Sequence, residues 1–441
     1  MPKQKPDTFL EEYAKKIDRN DPLCTVKFRY LMDYKKPNFA LNSLGAPHCN
    51  APRYVNIFMK HWEENQVSGH MIPMKGIGNN PTGYANFREM FRPYAIRLLG
   101  AHTASETAIV NDQSSLYCSL FRWLAEKQLR NKRTVILYER DGVFPSDGPI
   151  IQETVRIINL NFGTTEGQNG LSLVPIPQTE LGLIDHDKLL ELIEEIGENL
   201  AVVAFGSGGI HWKTAQLLDT ERIGPAVKKV GGKTLVNIAH ALGIVDLKLH
   251  EHQITAAVGC TYKFMGAGAG GPSLVFIHED EDTDTLLPIG WFSHESPINA
   301  LQGISSPLKK GAQRIEASNP NVLGWLPFYA AAEEYYRWTT LQLQTKGITL
   351  LTYFDEIIAG IQNNFDHPIE IITPANERST EIVFTTKNRA TAPLLHRFIN
   401  EHGVICDIRD KERIRIGMYP LISTHSDLNK LGNTMWEYFE Q

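Results

Sequence analysis

Between Thr107 and His278, short and almost wholly apolar runs alternate with longer stretches of helical pattern. The runs TAIVND, TVILYE, SLVPI, LAVVAF, TLVNIA, TAAVGC and SLVFIH predict strands; they start at Thr107, Thr134, Ser172, Leu200, Thr234, Thr255 and Ser273. SSLYCSLFRWLAEKQLRN, PIIQETVRIINL and HDKLLELIEEIGEN lie between them and predict helices. Strands alternating with helices build βαβ units, hence an α/β fold with a mostly parallel, seven-stranded sheet flanked by helices. Strands covered on both faces lose the alternation of apolar and polar positions, as these runs do.

Near residue 320 the pattern changes. A long helical region from Val322 to Asn363 leads to IEIIT, TEIVFTT, GVICDI and RIRIGM, which predicts a smaller α+β unit. The opening stretch MPKQKPDTFLEEYAKKID predicts an amphipathic helix whose apolar stripe must be buried against a neighbour. The expected division is N-terminal helices over 1–65 packed with the small unit, a large domain over 66–320, and the small domain over 321–441.

Composition changes this picture little. With 441 residues, 42% of them hydrophobic and 21% charged, the chain has the balance of an ordinary globular protein large enough for two packed units. The net charge of −6 and the lack of a Lys/Arg block argue against a nucleic-acid surface, and no apolar run reaches the roughly 18 residues of a membrane span. The five cysteines are scattered and form no Cys-x-x-Cys pair, so neither a zinc site nor a disulfide framework is expected. The charged N-terminus has no signal-peptide core, which points to a reducing cytoplasmic setting.

Chemistry gathers at two places. In TYKFMGAGAGG, Gly266, Gly268 and Gly271 satisfy G-x-G-x-x-G, but a strand follows where a dinucleotide site needs a helix. A lysine just before a glycine-rich turn has another use: glycines let the backbone pass close to a bound group, and Lys263 can form an imine with a carbonyl. Upstream, TLVNIAHALG places Asn237 and His240 at the carboxyl edge of the sheet, where ligands of open α/β sheets bind. His240 reads equally well as a buried structural histidine.

The runs AHALGIVDLKLH, TYKFMGAGAGG and GWFSHE resemble kynureninase, a family of fold-type-I enzymes dependent on pyridoxal 5′-phosphate (PLP). So do LNSLG, SGH ending at His70, FPSD from Phe144, IHW from Ile210, SNP from Ser318 and IRIGMYPL from Ile414, all in the family's order. The resemblance implies that Lys263 holds PLP covalently and shuttles a proton, with Tyr262 beside it as a second catalytic group. It implies cofactor contacts from Gln113 and Ser114 at a phosphate-binding helix start, from Phe144 stacked on the ring, and from Ser146, Asp147, Gly208, Asn237, His240, Trp291 and Asn319. It assigns the substrate's carboxylate to Arg415 and its aryl end to Ser43, His70, Phe292 and Asn319, with Arg409 and Arg413 read as surface charges. It also implies an amino-acid substrate and a homodimer with shared active sites.

The sequence departs from the family at several of these positions. Asn237 stands where an aspartate pairs with the pyridine nitrogen, and Gly208 where the family has a serine. Lys213 replaces an aromatic, Gly148-Pro149 follows FPSD, and Lys75 to Tyr84 form an enlarged loop near His70. The leading expectation is hydrolysis of the Cβ–Cγ bond of kynurenine or 3-hydroxykynurenine. The alternatives are a related PLP enzyme acting on another amino acid, and a PLP-binding homologue without turnover.

Overall fold

The computed structural model describes residues 5–79 and 81–441. Seven strands form the larger sheet: β1 (Thr107–Val110), β2 (Val135–Tyr138), β3 (Ser172–Pro175), β4 (Leu200–Phe205), β5 (Lys233–Asn237), β6 (Ala256–Cys260) and β7 (Ser273–Ile277). Their spatial order is β1-β7-β6-β5-β4-β2-β3. From β3 to β6 the pairing is parallel, and β7 lies antiparallel to both β6 and β1. Each predicted apolar run is one strand, and every residue of β1, β4, β6 and β7 is buried. Both faces are covered, by apolar clusters that include Leu137, Phe205 and Phe276 on one side and Ile136, Leu235 and Val258 on the other. Alternate residues of one strand thus enter different cores.

The second sheet has the order β10-β11-β9-β8, built from β8 (Ile369–Ile371), β9 (Glu381–Thr386), β10 (Asp407–Arg409) and β11 (Arg413–Gly417). Its core takes Phe354, Ile416, Leu431 and Trp436 together with Phe9 and Ala14 from the N-terminal segment. Of the opening run, residues 1–4 lie outside the described residues, and the helix spans Glu11–Arg19. Two differences from the sequence expectations have clear causes. The helical region after Val322 is two helices, Val322–Tyr336 and Thr340–Asn364, because Thr339 caps the second: its hydroxyl accepts from Gln342 N at 3.2 Å while Gln342 Oε1 accepts from Thr339 N at 2.9 Å. The helix Ala51–Asn65 does not join the small sheet. Its apolar face, Tyr54 and Phe58, enters the large core beside Tyr329 and Tyr84.

Glu334 ties the N-terminal segment to this core. Its carboxylate accepts from Arg29 Nη1 at 2.7 Å and Trp338 Nε1 at 3.1 Å, with His48 Nε2 at 3.7 Å. Burial opposes its ionisation, but nearby His48 and the hydrogen bonds from Arg29 and Trp338 outweigh that and hold its pKa down at about 2. An unfolded glutamate titrates near pH ~4.3, so this stabilisation is complete above that value and is lost as pH falls toward the folded value. The melting temperature should therefore fall more steeply below pH ~4.3 in the native chain than in Glu334→Gln; equal slopes would exclude the contribution.

Candidate active site

The carboxyl ends of β4, β5 and β6, with the turn before β7 and the start of the helix Gln113–Arg130, enclose a cavity of about 260 Å³. Gln113, Ser114, Phe144, Ser146, Gly208, Asn237, His240, Tyr262 and Lys263 line it together. Lys263 is buried, with Nζ 3.0 Å from Tyr262 Oη and 3.5 Å from Cys260 Sγ. Burial disfavours its charge, but Cys260 and Tyr262 outweigh this and raise its pKa above the ordinary lysine value. The LNSLG loop reaches this point. Gly45 N donates to Tyr262 O at 2.9 Å, and a Cβ at Gly45 would lie 1.9 Å from Lys263 O, so only glycine fits.

Asn237 is fixed on two sides. Its Oδ1 accepts from Ala239 N at 2.9 Å and its Nδ2 donates to Asp147 Oδ2 at 2.7 Å. Asp147 stands behind Asn237 outside the cavity lining; its other oxygen accepts from Ser146 Oγ at 2.7 Å. Burial raises the Asp147 pKa, against the hydrogen bonds from Ser146 and Asn237. His240 lines the cavity and is also the buried structural histidine of the alternative reading. Its Nδ1 meets Glu381 Oε2 at 3.3 Å, and burial pushes its pKa down to about 4 despite that carboxylate.

Gly208 has φ +104, and a Cβ there would lie 3.0 Å from His240 Cδ2, so a serine is strained at this position. The hydroxyl on this wall comes from Ser207, which donates to Glu139 Oε1, while Gly206 N donates to Glu139 Oε2 at 2.8 Å. Burial lifts the Glu139 pKa to about 7. Ser207 and Glu139 are absent from the sequence reading; the serine within FGSGG was the available signal. At the helix start, Asp112 accepts from Ser114 N and Ser115 N at 3.2 and 3.1 Å, so a carboxylate caps the terminus expected to meet phosphate. Gln113 Oε1 accepts from Cys260 N at 2.7 Å.

The other predicted residues do not line this cavity. Arg415 is fully buried and its N–H groups are engaged: Nε and Nη2 donate to Asp407 at 3.0 and 2.6 Å, Nη1 donates to Trp212 O at 2.8 Å, and Nη2 also donates to Ser43 Oγ at 3.1 Å. Arg409 is not a surface charge. It is half-buried and shares Asp407 Oδ2 at 2.7 Å and Ser43 Oγ at 3.1 Å, because Asp407 and Arg409 fall on one face of β10. Arg413 is likewise only partly exposed and donates to Leu181 O at 3.0 Å. Phe292 is buried under the Arg88 guanidinium, with Trp291 against it at 4.1 Å. His70 faces the Tyr84 ring at 5.5 Å, and Asn319 O accepts from Asn111 at 3.5 Å. Within the enlarged loop, Asn80 lies outside the described residues.

The cavity suits an aldehyde-bearing aromatic phosphate at the points that can be tested. A buried amine stands at one wall, Phe144 offers a ring, Asn237 offers an amide N–H, and Ser114 and Gln113 sit at a helix N-terminus. Fold and cavity together define a PLP-dependent enzyme of fold type I. The fold is shared with a mutant of C-DES that has glycine linked covalently to its PLP cofactor (TM-score 0.71, 15% identity, 93% of this chain and 98% of the other). Residues 343–435 match the family model described as the kynureninase C-terminal domain. The kynureninase of Yarrowia lipolytica is 30% identical over 408 residues, covering 88% of this chain and 90% of that protein. That of Flavobacterium johnsoniae is 28% identical over 433 residues, covering 96% and 97%. The chain belongs to the kynureninase family, and its cofactor is PLP.

Proposed function

We propose that this enzyme hydrolyses the Cβ–Cγ bond of kynurenine or 3-hydroxykynurenine, releasing anthranilate or 3-hydroxyanthranilate and alanine. The observation that carries this reading is the Lys263–Tyr262 pair, 3.0 Å apart beside Asn237, in a chain of the kynureninase family. PLP, when bound, supplies a carbonyl for the substrate amine and an electron-withdrawing ring. Lys263 Nζ takes the proton from the substrate Cα, and the adjacent Tyr262 hydroxyl delivers a proton to Cβ as the bond to Cγ breaks. Water adds at the γ-carbonyl, so its oxygen leaves in the aromatic carboxylate.

Around these two groups, Ser114 and Gln113 would hold the phosphate end of PLP, Phe144 would lie against its ring and Asn237 would serve its nitrogen, while Ser146 and Asp147 set the Asn237 amide. His240 and Gly208 shape the wall opposite Lys263. Arg415, bonded here to Asp407 and Ser43 with Arg409 beside them, is the candidate partner for the substrate carboxylate. His70, Trp291 and Asn319 lie outside the cavity of one chain, which supports a homodimer in which a second copy brings such residues to the site, while Phe292 stays buried beneath Arg88 of its own chain. Met59, Trp62, Val67 and Met71 form exposed apolar surface around the helix Ala51–Asn65, available to such a contact. The two sheets support a large domain over 66–320 and a small one over 321–441, with the helix Val322–Tyr336 packing into the large core through Trp325 and Tyr329. The five cysteines are free, in keeping with a reducing cytoplasmic setting, and among the described residues no helix is long and apolar enough to cross a membrane.

The test is direct. The PLP-loaded protein incubated with L-kynurenine or L-3-hydroxykynurenine should release the aromatic acid, read by fluorescence, and alanine in equal amounts. Absence of both products from both substrates would overturn the reading.

A further inference from the structure

A second cavity, of about 370 Å³, lies between the segment after β2, the segment after β3 and the turn joining β10 to β11. His211, Arg413 and Lys213 stand among its lining, and the exposed Asp141 and Glu180 lie at its rim. The His211 side chain is almost completely buried, at 3% exposure for the residue. Its Nδ1 accepts the backbone N–H of Lys213 at 3.3 Å, which places the ring proton on Nε2. Among the described residues that buried Nε2–H has no hydrogen-bond partner. Gly142, another lining residue, comes so close that a Cβ there would lie 3.1 Å from Nε2. Leaving a buried donor unpaired is costly, so the folded chain keeps a donor in want of an acceptor beside an open space.

The surrounding charge has a definite sign. Burial, then Arg413, Lys213 and His240, push the His211 pKa down to about 3, with no acid acting the other way. The ring is therefore neutral and sits in a positive field. Lys213 is balanced by Asp410 at 3.1 Å, whereas among the described residues the Arg413 side chain donates to Leu181 O at 3.0 Å and has no paired acid. The rest of its planar fork matches the two oxygens of a carboxylate. Arg140, which also lines the cavity, is balanced by Asp141 at 2.8 Å, so Glu180 is the rim acid without a paired cation among the described residues; it disfavours a dianion such as phosphate and tolerates a single negative charge.

We propose that this cavity binds the carboxylate of a small organic acid, through His211 Nε2–H and the Arg413 guanidinium, as a site separate from the catalytic cavity. Trp212 joins the two places: its Nε1 donates to Gly142 O at 2.7 Å, its ring meets Phe144 at 5.6 Å, and its carbonyl accepts from Arg415.

The experiment follows the imidazole ¹H–¹⁵N signal of His211 in the PLP-loaded protein during separate titrations with sodium acetate and sodium phosphate at constant ionic strength. Acetate should move the signal saturably. Arg413→Gln should raise the acetate Kd at least tenfold, and Lys213→Gln, which keeps the backbone N–H, should raise it less. Phosphate should leave the signal in place. No saturable shift with acetate, an unchanged Kd in Arg413→Gln, or a response to phosphate instead would each overturn the proposal. Should Arg413→Gln fail to fold, an unchanged acetate Kd in Lys213→Gln together with a response to phosphate overturns it alone.

Discussion

Lys263→Ala is expected to lower kynurenine turnover by about 10⁴-fold, the upper range for loss of a positioned proton-transfer group. It should also abolish covalent retention of the cofactor. Borohydride treatment of the loaded native chain should leave a mass adduct on the peptide containing Lys263, and K263A should leave none. The fold should survive, because the lysine ends at a cavity and among the described residues its Nζ is bonded to Tyr262 Oη and Cys260 Sγ alone. Neither partner is stranded: burial raises the Cys260 pKa, and Tyr262 lines the cavity. A small external amine should restore part of the rate in K263A, which a purely structural role for Lys263 would not allow. A cofactor adduct persisting at another lysine would remove Lys263 from the centre of the site.

The residues that place this lysine were legible in the sequence because they sit where chain geometry is most constrained. β5 and β6 are buried on both faces, so their apolar runs fix where they end, and Asn237 and the run Thr261-Tyr262-Lys263 stand at those ends. The Glu139–Ser207 pair was not legible. Glu139 opens the polar run after β2 and its partner lies 68 positions on, so only the parallel pairing of β2 with β4 brings them together. Arg409 was misread for a related reason. Within the charged run RDKER its side chain looks solvated, but β10 pairs Asp407 with Arg415 and Arg409 with Arg413, turning Arg409 toward Ser43. The helix break at Thr339 was hidden because helical pattern continues across it. What local pattern dictates is readable; what a distant partner dictates is not.

Asn237→Asp is expected to raise kcat for kynurenine by about a hundredfold, the equivalent of roughly 3 kcal/mol. The native amide cannot turn over. Reversal would set Oδ1 against the Asp147 carboxylate and Nδ2 against Ala239 N–H, losing bonds of 2.7 and 2.9 Å. Asn237, which lines the cavity, is therefore a neutral amide held in one orientation and gives no charge to hold a proton on the ring nitrogen. Aspartate at 237 supplies that charge, and a protonated ring better stabilises the negative charge developing at the substrate Cα. It also sets two carboxylates side by side, which cannot both ionise freely and titrate as a pair. The burial that already raises the Asp147 pKa favours such proton sharing, so the single variant should show a pH-dependent gain. The double exchange, Asn237→Asp with Asp147→Asn, keeps one carboxylate and one amide, reverses the hydrogen bond between them, and should show the gain without that pH dependence. The ring-nitrogen ¹⁵N shift of labelled PLP should move from neutral to protonated pyridine in both variants. A native enzyme whose ring nitrogen is already protonated would show that Asp147 supplies the charge through Asn237, and the predicted gain would not appear.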